Sequence, residues 1–333
     1  MSNPVVKNSQ DFRMGVIGVG RMGQYHVNVL SALNTHNFVG VYDTDPETGK
    51  KVADQYSIIN FETPEKLMEE CDAVTIAVPT NLHYELAKKA LEKGCHVLIE
   101  KPITETVEQA KELIDMARAA NKVLQVGHVE RFNGAVIELQ KIVQNPIHIE
   151  TKRLSPFTPR IKDVGVVMDM LIHDLDIVIN LVKSPLKSFT AVGRKIISDH
   201  EDLATITLLF ESGAIATLNA SRVSQLKQRV LYAMQENSYV KLDYTTQDIE
   251  IHRQASTVNL ITPEEIRYST ESFVENLYVH KDNPLKSEQM HFYNCIVNNE
   301  KPLVSNDMDL ETLRITLDSL NMIMSNNPAY ETP

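Results

Sequence analysis

The 333-residue chain is predicted to be an α/β protein of two domains. A doubly wound parallel sheet is expected over residues 12–128 and an α+β domain with a large open antiparallel sheet over 129–333, after a flexible N-terminus of residues 1–11. Three observations predict this. The chain is longer than the roughly 250 to 300 residues at which a single core stops growing. From residue 12 to about 128, short apolar runs alternate with amphipathic ones, as strands and crossover helices do in a parallel sheet. After about 145 the texture changes to longer β-branched stretches joined by tight turns.

In order, the apolar runs predict strands at 12–17, 38–43, 72–78, 95–100 and 123–127. Asp45 precedes Pro46 as a helix cap. NLHYELAKKALEKG, residues 81–94, predicts a helix with Asn81 as N-cap and Gly94 as its stop. In the second half, ATITLLFESGAIATLNAS (204–221) turns at Glu211-Ser212-Gly213, a hairpin signal. Helical spacing appears at 166–182 and returns at 285–299 and 309–324. No internal repeat or low-complexity segment interrupts the chain.

Composition narrows the function. With 43% hydrophobic residues the chain should be globular, and acidic residues outnumber basic ones by 44 to 33. No basic block stands against that surplus, so nucleic acid and anionic membrane are poor partners. The opening MSNPVVKNSQ lacks a signal-peptide core, and no apolar run reaches the roughly 18 residues of a membrane span. Cys71, Cys95 and Cys295 stand far apart with no CxxC pair, which suggests neither a disulfide framework nor a zinc site. A reducing, cytoplasmic setting is expected.

The first strand runs into Gly18-Val19-Gly20-Arg21-Met22-Gly23 and then a helix-like segment, the context of a dinucleotide-binding fingerprint. Gly18 permits the tight turn, Gly20 lets a pyrophosphate approach the backbone, and Gly23 lets helix and strand pack closely. The helix N-terminus adds free N–H groups and partial positive charge. Twenty residues beyond Gly23, Asp43 ends the second strand, where a carboxylate can hold both adenosine ribose hydroxyls. It would repel a 2′-phosphate, so NAD is expected rather than NADP, in a Rossmann domain. The remaining cofactor neighbours expected are Arg21, Met22, Pro79, Asn81, Glu100 and Lys101.

Lys101 follows the fifth strand, and ligands of open parallel sheets bind outside the carboxyl ends of the strands. Lys101 is therefore either a solvated strand end or a group facing that cleft. In VVMDMLIHDLDIVINLV (166–182), Met168, Leu171, Leu175, Val178 and Val182 form an apolar helical stripe. Asp169, His173, Asp176 and Asn180 form a polar one beside it. An Asp and a His one turn apart can bind a sugar hydroxyl and accept its proton. They can also ligate a metal, although no third ligand cluster is visible, or simply meet solvent. His83 and His128 read as structural histidines near the cofactor.

These residues resemble the Gfo/Idh/MocA oxidoreductase family over most of the chain. The resemblance is carried by GVGRMG (18–23), VPTNLHYELAKKAL (78–91), GCHVLIEKP (94–102), QVGHVERFN (125–133) and DMLIHDLD (169–176). It implies that Lys101 is the catalytic lysine of the EKP motif, and that Asp169 and His173 are the substrate-binding acid and the proton-transfer histidine. It also implies a homodimer or homotetramer. Leu171 departs from the glycine many members have there, which would alter the pocket. Residues 126–133 and 153–178 are further similar to the subgroup that oxidises UDP-N-acetylglucosamine at its 3-hydroxyl for lipid A. That substrate's pyrophosphate would need cations, for which Arg153, Arg160 and Arg222 are the candidates. A dehydrogenase of free polyols such as inositol would use the same Lys, Asp and His without them. A non-enzymatic NAD-binding regulator would need none of these groups.

Overall fold

The computed structural model describes residues 12–33, 35–158, 164–262 and 265–326, with backbone alone for 254–262, 265–272 and 326. The described residues divide into two compact units, those of 12–132 with 283–314, and those of 133–282 with 315–326. The sequence placed everything after 128 in one domain. In the structure, the segment from 283 to 314 instead joins the first unit.

In the first unit the strands are β1 (Arg13–Ile17), β2 (Asn37–Tyr42), β3 (Ile59–Asn60), β4 (Ala73–Ile76), β5 (His96–Glu100) and β6 (Leu124–Gly127). The helices are α1 (Arg21–Ala32), α2 (Pro46–Tyr56), α3 (Pro64–Glu70), α4 (His83–Glu92) and α5 (Val107–Ala119). The sheet is parallel, in the order β3-β2-β1-β4-β5-β6. Every residue of β4 is buried, so a continuous apolar run is what such a strand requires. Strand order reverses at β1, with β2 on one side and β4 on the other, and that switch point opens a crevice at the strands' carboxyl ends. Asp45 caps α2 by accepting from Glu47 N at 3.2 Å. Asn81 does not cap α4. It lies inside a 3₁₀ turn, Thr80–Leu82, and α4 begins at His83 with no side-chain cap. β3, two residues long, is too short to leave a periodic signal.

The second unit begins with α6 (Gly134–Ile142) and β7 (His148–Leu154). A π-helical turn, Val167–Leu171, then leads into α7 (Ile172–Val182). Seven further strands follow: β8 (Leu186–Arg194), β9 (Leu203–Phe210), β10 (Ile215–Ser221), β11 (Gln228–Gln235), β12 (Ser238–Asp243), β13 (Asp248–Thr262) and β14 (Glu265–Leu277). They form an eight-stranded sheet, β14-β13-β12-β11-β7-β10-β9-β8. The sheet is mixed rather than wholly antiparallel, because β7 and β10 pair in parallel. Strict alternation of burial along β7 and β9 shows one covered face. That face meets α6 at β12 and α7 at β10. The predicted hairpin joins β9 to β10, with Gly213 at φ 86°.

After β14, α8 (Pro284–Val297) packs on α1, and its Phe292 enters the first unit's core with Met14, Val16, Val27, Leu30 and Leu98. The last helix, α9 (Asn306–Asn326), crosses the unit boundary between Arg314 and Ile315.

Candidate active site

The glycine loop is shaped by close approach. Gly18 has φ 86°, and a side chain there would press on the carbonyl oxygen of Ala77 at 2.6 Å. A side chain at Gly23 would overlap the carbonyl of Gly18. At Gly20, by contrast, a side chain would meet nothing within 4 Å, so the backbone there stands open. Gly20 is also the N-cap of α1, a helix with no side-chain cap and no acidic residue in its first turn. An uncapped N-terminus of this kind suits a pyrophosphate.

A cavity of about 460 Å³ adjoins it, lined in part by Gly18, Gly20, Asp43, Val78, Pro79 and Leu86. Asp43 does two things at once. Its Oδ2 accepts from Val19 N at 2.7 Å and its Oδ1 from Asp45 N at 2.9 Å, so the acid fixes the loop while bordering the cavity. Open backbone, uncapped helix and a carboxylate at the cavity wall together fit an adenine dinucleotide with an unmodified ribose. Arg21 and Met22 are exposed at the start of α1, and Asn81 sits on the 3₁₀ turn after Pro79.

Lys101, half-buried, follows the last residue of β5, and its peptide bond to Pro102 is cis. The turn is tied down on both sides. Glu100 Oε2 accepts from Lys101 N at 3.3 Å, and His83 Nδ1 lies 2.8 Å from the Pro102 carbonyl. The other His83 nitrogen lies 2.9 Å from the Val78 carbonyl. Burial pushes the His83 pKa down, so the ring is neutral and can donate to only one of these oxygens at a time. For Glu100, burial alone would raise the pKa. The hydrogen bond from His26 and the charge of Lys101 outweigh it and hold the acid below its ordinary range. Glu100 is thus placed as a support for the backbone. His128 is 3% exposed, with its N–H donated to the Val126 carbonyl at 2.8 Å.

In the second unit, Asp169 and His173 straddle the junction of the π turn and α7. A π turn adds a residue to the helical circuit, and Ile172 N accordingly reaches back to the Val167 carbonyl. Asp169 and His173 are both half-buried, whereas Asp176 is 1% exposed and is held with Asn180, whose Nδ2 donates to the Asp176 carbonyl at 2.7 Å. The polar stripe read from the sequence therefore divides. Its first two members retain access, and Asp176 belongs to the interior.

Glu201, which the sequence did not single out, holds the start of this segment. It is 3% exposed, its Oε1 accepts from Val167 N at 3.1 Å, and its carbonyl accepts from Val166 N at 3.0 Å. Gly165 lies so close that a side chain there would overlap the Glu201 carboxylate. Glu201 acts like an N-cap supplied from another part of the chain.

The arginines proposed for a pyrophosphate are placed otherwise. Arg153 is 3% exposed, forks onto Asp174 with contacts of 3.1 and 2.8 Å, and lies over the Tyr244 ring. Arg222 is 4% exposed and donates to Asp202 at 2.9 Å. Asp202 also accepts the backbone N–H groups of Ile196, Ile197 and Ser198. Both guanidinium groups are paired with buried carboxylates, a structural use that the sequence did not foresee. Arg160 lies outside the described residues.

Strand, glycine loop, uncapped helix and acidic strand end define a dinucleotide-binding domain. Residues 12–128 match the oxidoreductase family with NAD-binding Rossmann fold, and residues 133–251 match the GFO/IDH/MocA C-terminal domain. The chain belongs to the Gfo/Idh/MocA family and is an NAD-dependent dehydrogenase of it. It is 36% identical to UDP-N-acetylglucosamine 3-dehydrogenase of Acidithiobacillus ferrooxidans over 74% of this chain and 79% of that one. The solved structure of that enzyme, GnnA, superposes with a TM-score of 0.85 at 30% identity, covering 94% of this chain and 98% of the other. The scyllo-inositol 2-dehydrogenase (NAD(+)) of Bacillus subtilis is 28% identical over 64% of this chain and 68% of its own.

Proposed function

We propose that this protein oxidises a sugar hydroxyl to a ketone, and that the sugar is UDP-N-acetylglucosamine, oxidised at its 3-hydroxyl for lipid A synthesis in the cytoplasm. What carries the reading is likeness to the Acidithiobacillus ferrooxidans enzyme across nearly the whole chain, combined with Lys101 and the Asp169–His173 pair held on stiffened turns. NAD, when bound, accepts the hydride. Asp169 holds a hydroxyl of the sugar, and His173 Nε2 takes the proton of the reacting hydroxyl. The Lys101 ammonium stabilises the negative charge developing on that oxygen. Glu100 and Glu201 hold the backbone from which these side chains project.

The inositol reading has one observation in its favour. Two of the three arginines offered as candidates for a pyrophosphate are buried in ion pairs, which leaves Arg160 as the sequence's remaining candidate. The test is NAD reduction with UDP-N-acetylglucosamine, free N-acetylglucosamine and scyllo-inositol in parallel. Charge-assisted contacts to the nucleotide contribute roughly 1.5 to 3 kcal/mol each, so the UDP sugar should be the far better substrate, and Arg160→Ala should narrow the gap. Equal rates on the free sugars would replace this substrate with a polyol. Assembly as a homodimer or homotetramer belongs to the same proposal, and light scattering on the purified protein checks it.

A further inference from the structure

Beneath the Lys101 turn runs a line of buried polar groups. Gln289, on α8 and 1% exposed, places its Nε2 2.7 Å from His26 Nδ1 and 3.3 Å from Thr75 Oγ1. His26, on α1 and fully buried, places Nε2 2.8 Å from Glu100 Oε1. Glu100 Oε2 in turn accepts from Lys101 N. The line therefore joins α8, the helix that begins at the glycine loop, and the strand end that carries Lys101.

The direction of the hydrogen bonds follows from the chemistry of the ends. An amide nitrogen can only donate, so Nδ1 of His26 accepts, its ring proton sits on Nε2, and that proton is given to Glu100. Val27, next to His26 on α1, and Phe292, three residues beyond Gln289 on α8, both belong to the first unit's apolar core. Burying polar groups in such a core adds little stability that well-packed apolar side chains would not supply, which points to a use beyond holding the fold together. The charged and titratable groups around the line are Glu100, Lys101 and His83 at the turn, with Glu288 on α8 and Arg131 beside it.

We propose that His26 and Gln289 are positioning residues for the Lys101 turn: Gln289 fixes the proton of His26 on Nε2, His26 holds one oxygen of Glu100, and the other oxygen fixes the backbone of Lys101. The inference rests on the dehydrogenase reading for its kinetic consequence, but its structural half does not. Without the line, the Glu100 carboxylate turns and the ammonium of Lys101 loses its aim, while the glycine loop that binds the cofactor stays as it is.

The test has two arms. Imidazole nitrogen NMR of the full chain without substrate should show His26 as the Nε2–H tautomer, and Gln289→Leu should abolish that preference. In the kinetic arm, His26→Leu and Gln289→Leu should each lower kcat by roughly 10- to 100-fold, as displacement of a reacting group by about an ångström does, with NAD Kd unchanged within about threefold. His26→Gln, whose amide can still donate to Glu100, should restore most of the loss. Melting curves identify a variant that has failed to fold, and the remaining variants then decide. An Nδ1–H tautomer would overturn the proposal, as would a kcat insensitive to all substitutions or a loss matched by NAD affinity. If the wild-type protein oxidises no sugar, it is the dehydrogenase reading that falls, and the NMR arm still decides the position of the proton.

Discussion

Glu288 offers a test that needs no substrate. The side chain is fully buried on α8, and among the described residues neither carboxylate oxygen has a hydrogen-bond partner. Burial pushes its pKa well above the ordinary 4.5, and the charge of Glu100 pushes the same way, with Arg131 opposing. The folded protein therefore holds Glu288 as a neutral acid while the unfolded chain ionises it. Because the folded pKa is the raised one, the group's full stability is present below pH 4.5 and is lost as pH rises toward the folded value. Each pH unit inside that window removes about 1.4 kcal/mol. For a unit of this size that corresponds to roughly 3 to 6 °C in melting temperature per pH unit. Glu288→Gln keeps the shape and removes the titration. Calorimetric or circular-dichroism melts of both proteins at pH 4, 5, 6 and 7 should show the variant gaining on the wild type from about pH 4.5 upward at that slope. Parallel melting curves across the series would mean that Glu288 ionises in the folded state, and the reasoning from burial and missing partners would be refuted.

Asp43→Ala should weaken NAD binding by about 1 to 3 kcal/mol by calorimetric titration, and native protein that prefers NADP would overturn the ribose assignment. Lys101→Ala and His173→Ala should each lower kcat by roughly 10² to 10⁴ with little change in NAD affinity, as stopped-flow reduction would show. Glu201→Ala removes the acceptor for Val167 N and should cost about 1 kcal/mol of stability together with a loss of kcat, whereas Glu201→Gln should retain most of both. Gly165→Ala forces the Glu201 carboxylate aside and should reproduce the Glu201→Ala kinetics. Normal turnover there would detach the π turn from catalysis.

The parts of the fold legible in the sequence were those with local causes. β1 and the glycine loop were readable because the turn requires glycine where φ is positive or another backbone comes close, and no other residue serves. The end of β5, which Lys101 follows, was readable from the apolar run that makes the strand. What could not be read depends on residues far apart in the chain. Glu201 caps a helix 34 residues before it, and nothing in its own neighbourhood signals that acceptor role. Arg153 and Arg222 looked available because a sequence shows a cation without its partner. Asp174 and Asp202 are 21 and 20 residues away and claim them. The segment from 283 to 314 has ordinary helical spacing, which says that it forms a helix but not which core receives it.

The two turns proposed to carry the chemistry share a construction. In each, a buried glutamate accepts a backbone N–H at the start of the functional segment: Glu100 from Lys101, and Glu201 from Val167. A carboxylate in a poorly solvated place holds a backbone donor more strongly than water or a neutral group would, because the bond is charge-assisted and the alternative partners are gone. The cost is that the carboxylate itself must be held. Glu100 is held by His26, and the residue beside Glu201, Asp202, is locked by three backbone N–H groups and Arg222. In both turns the backbone that carries the proposed reacting side chains is therefore backed by buried polar groups. It follows that substitutions among those groups should shift kcat without touching either ligand, and that apolar replacements at His26 can leave the fold as stable as before while making it a poorer catalyst.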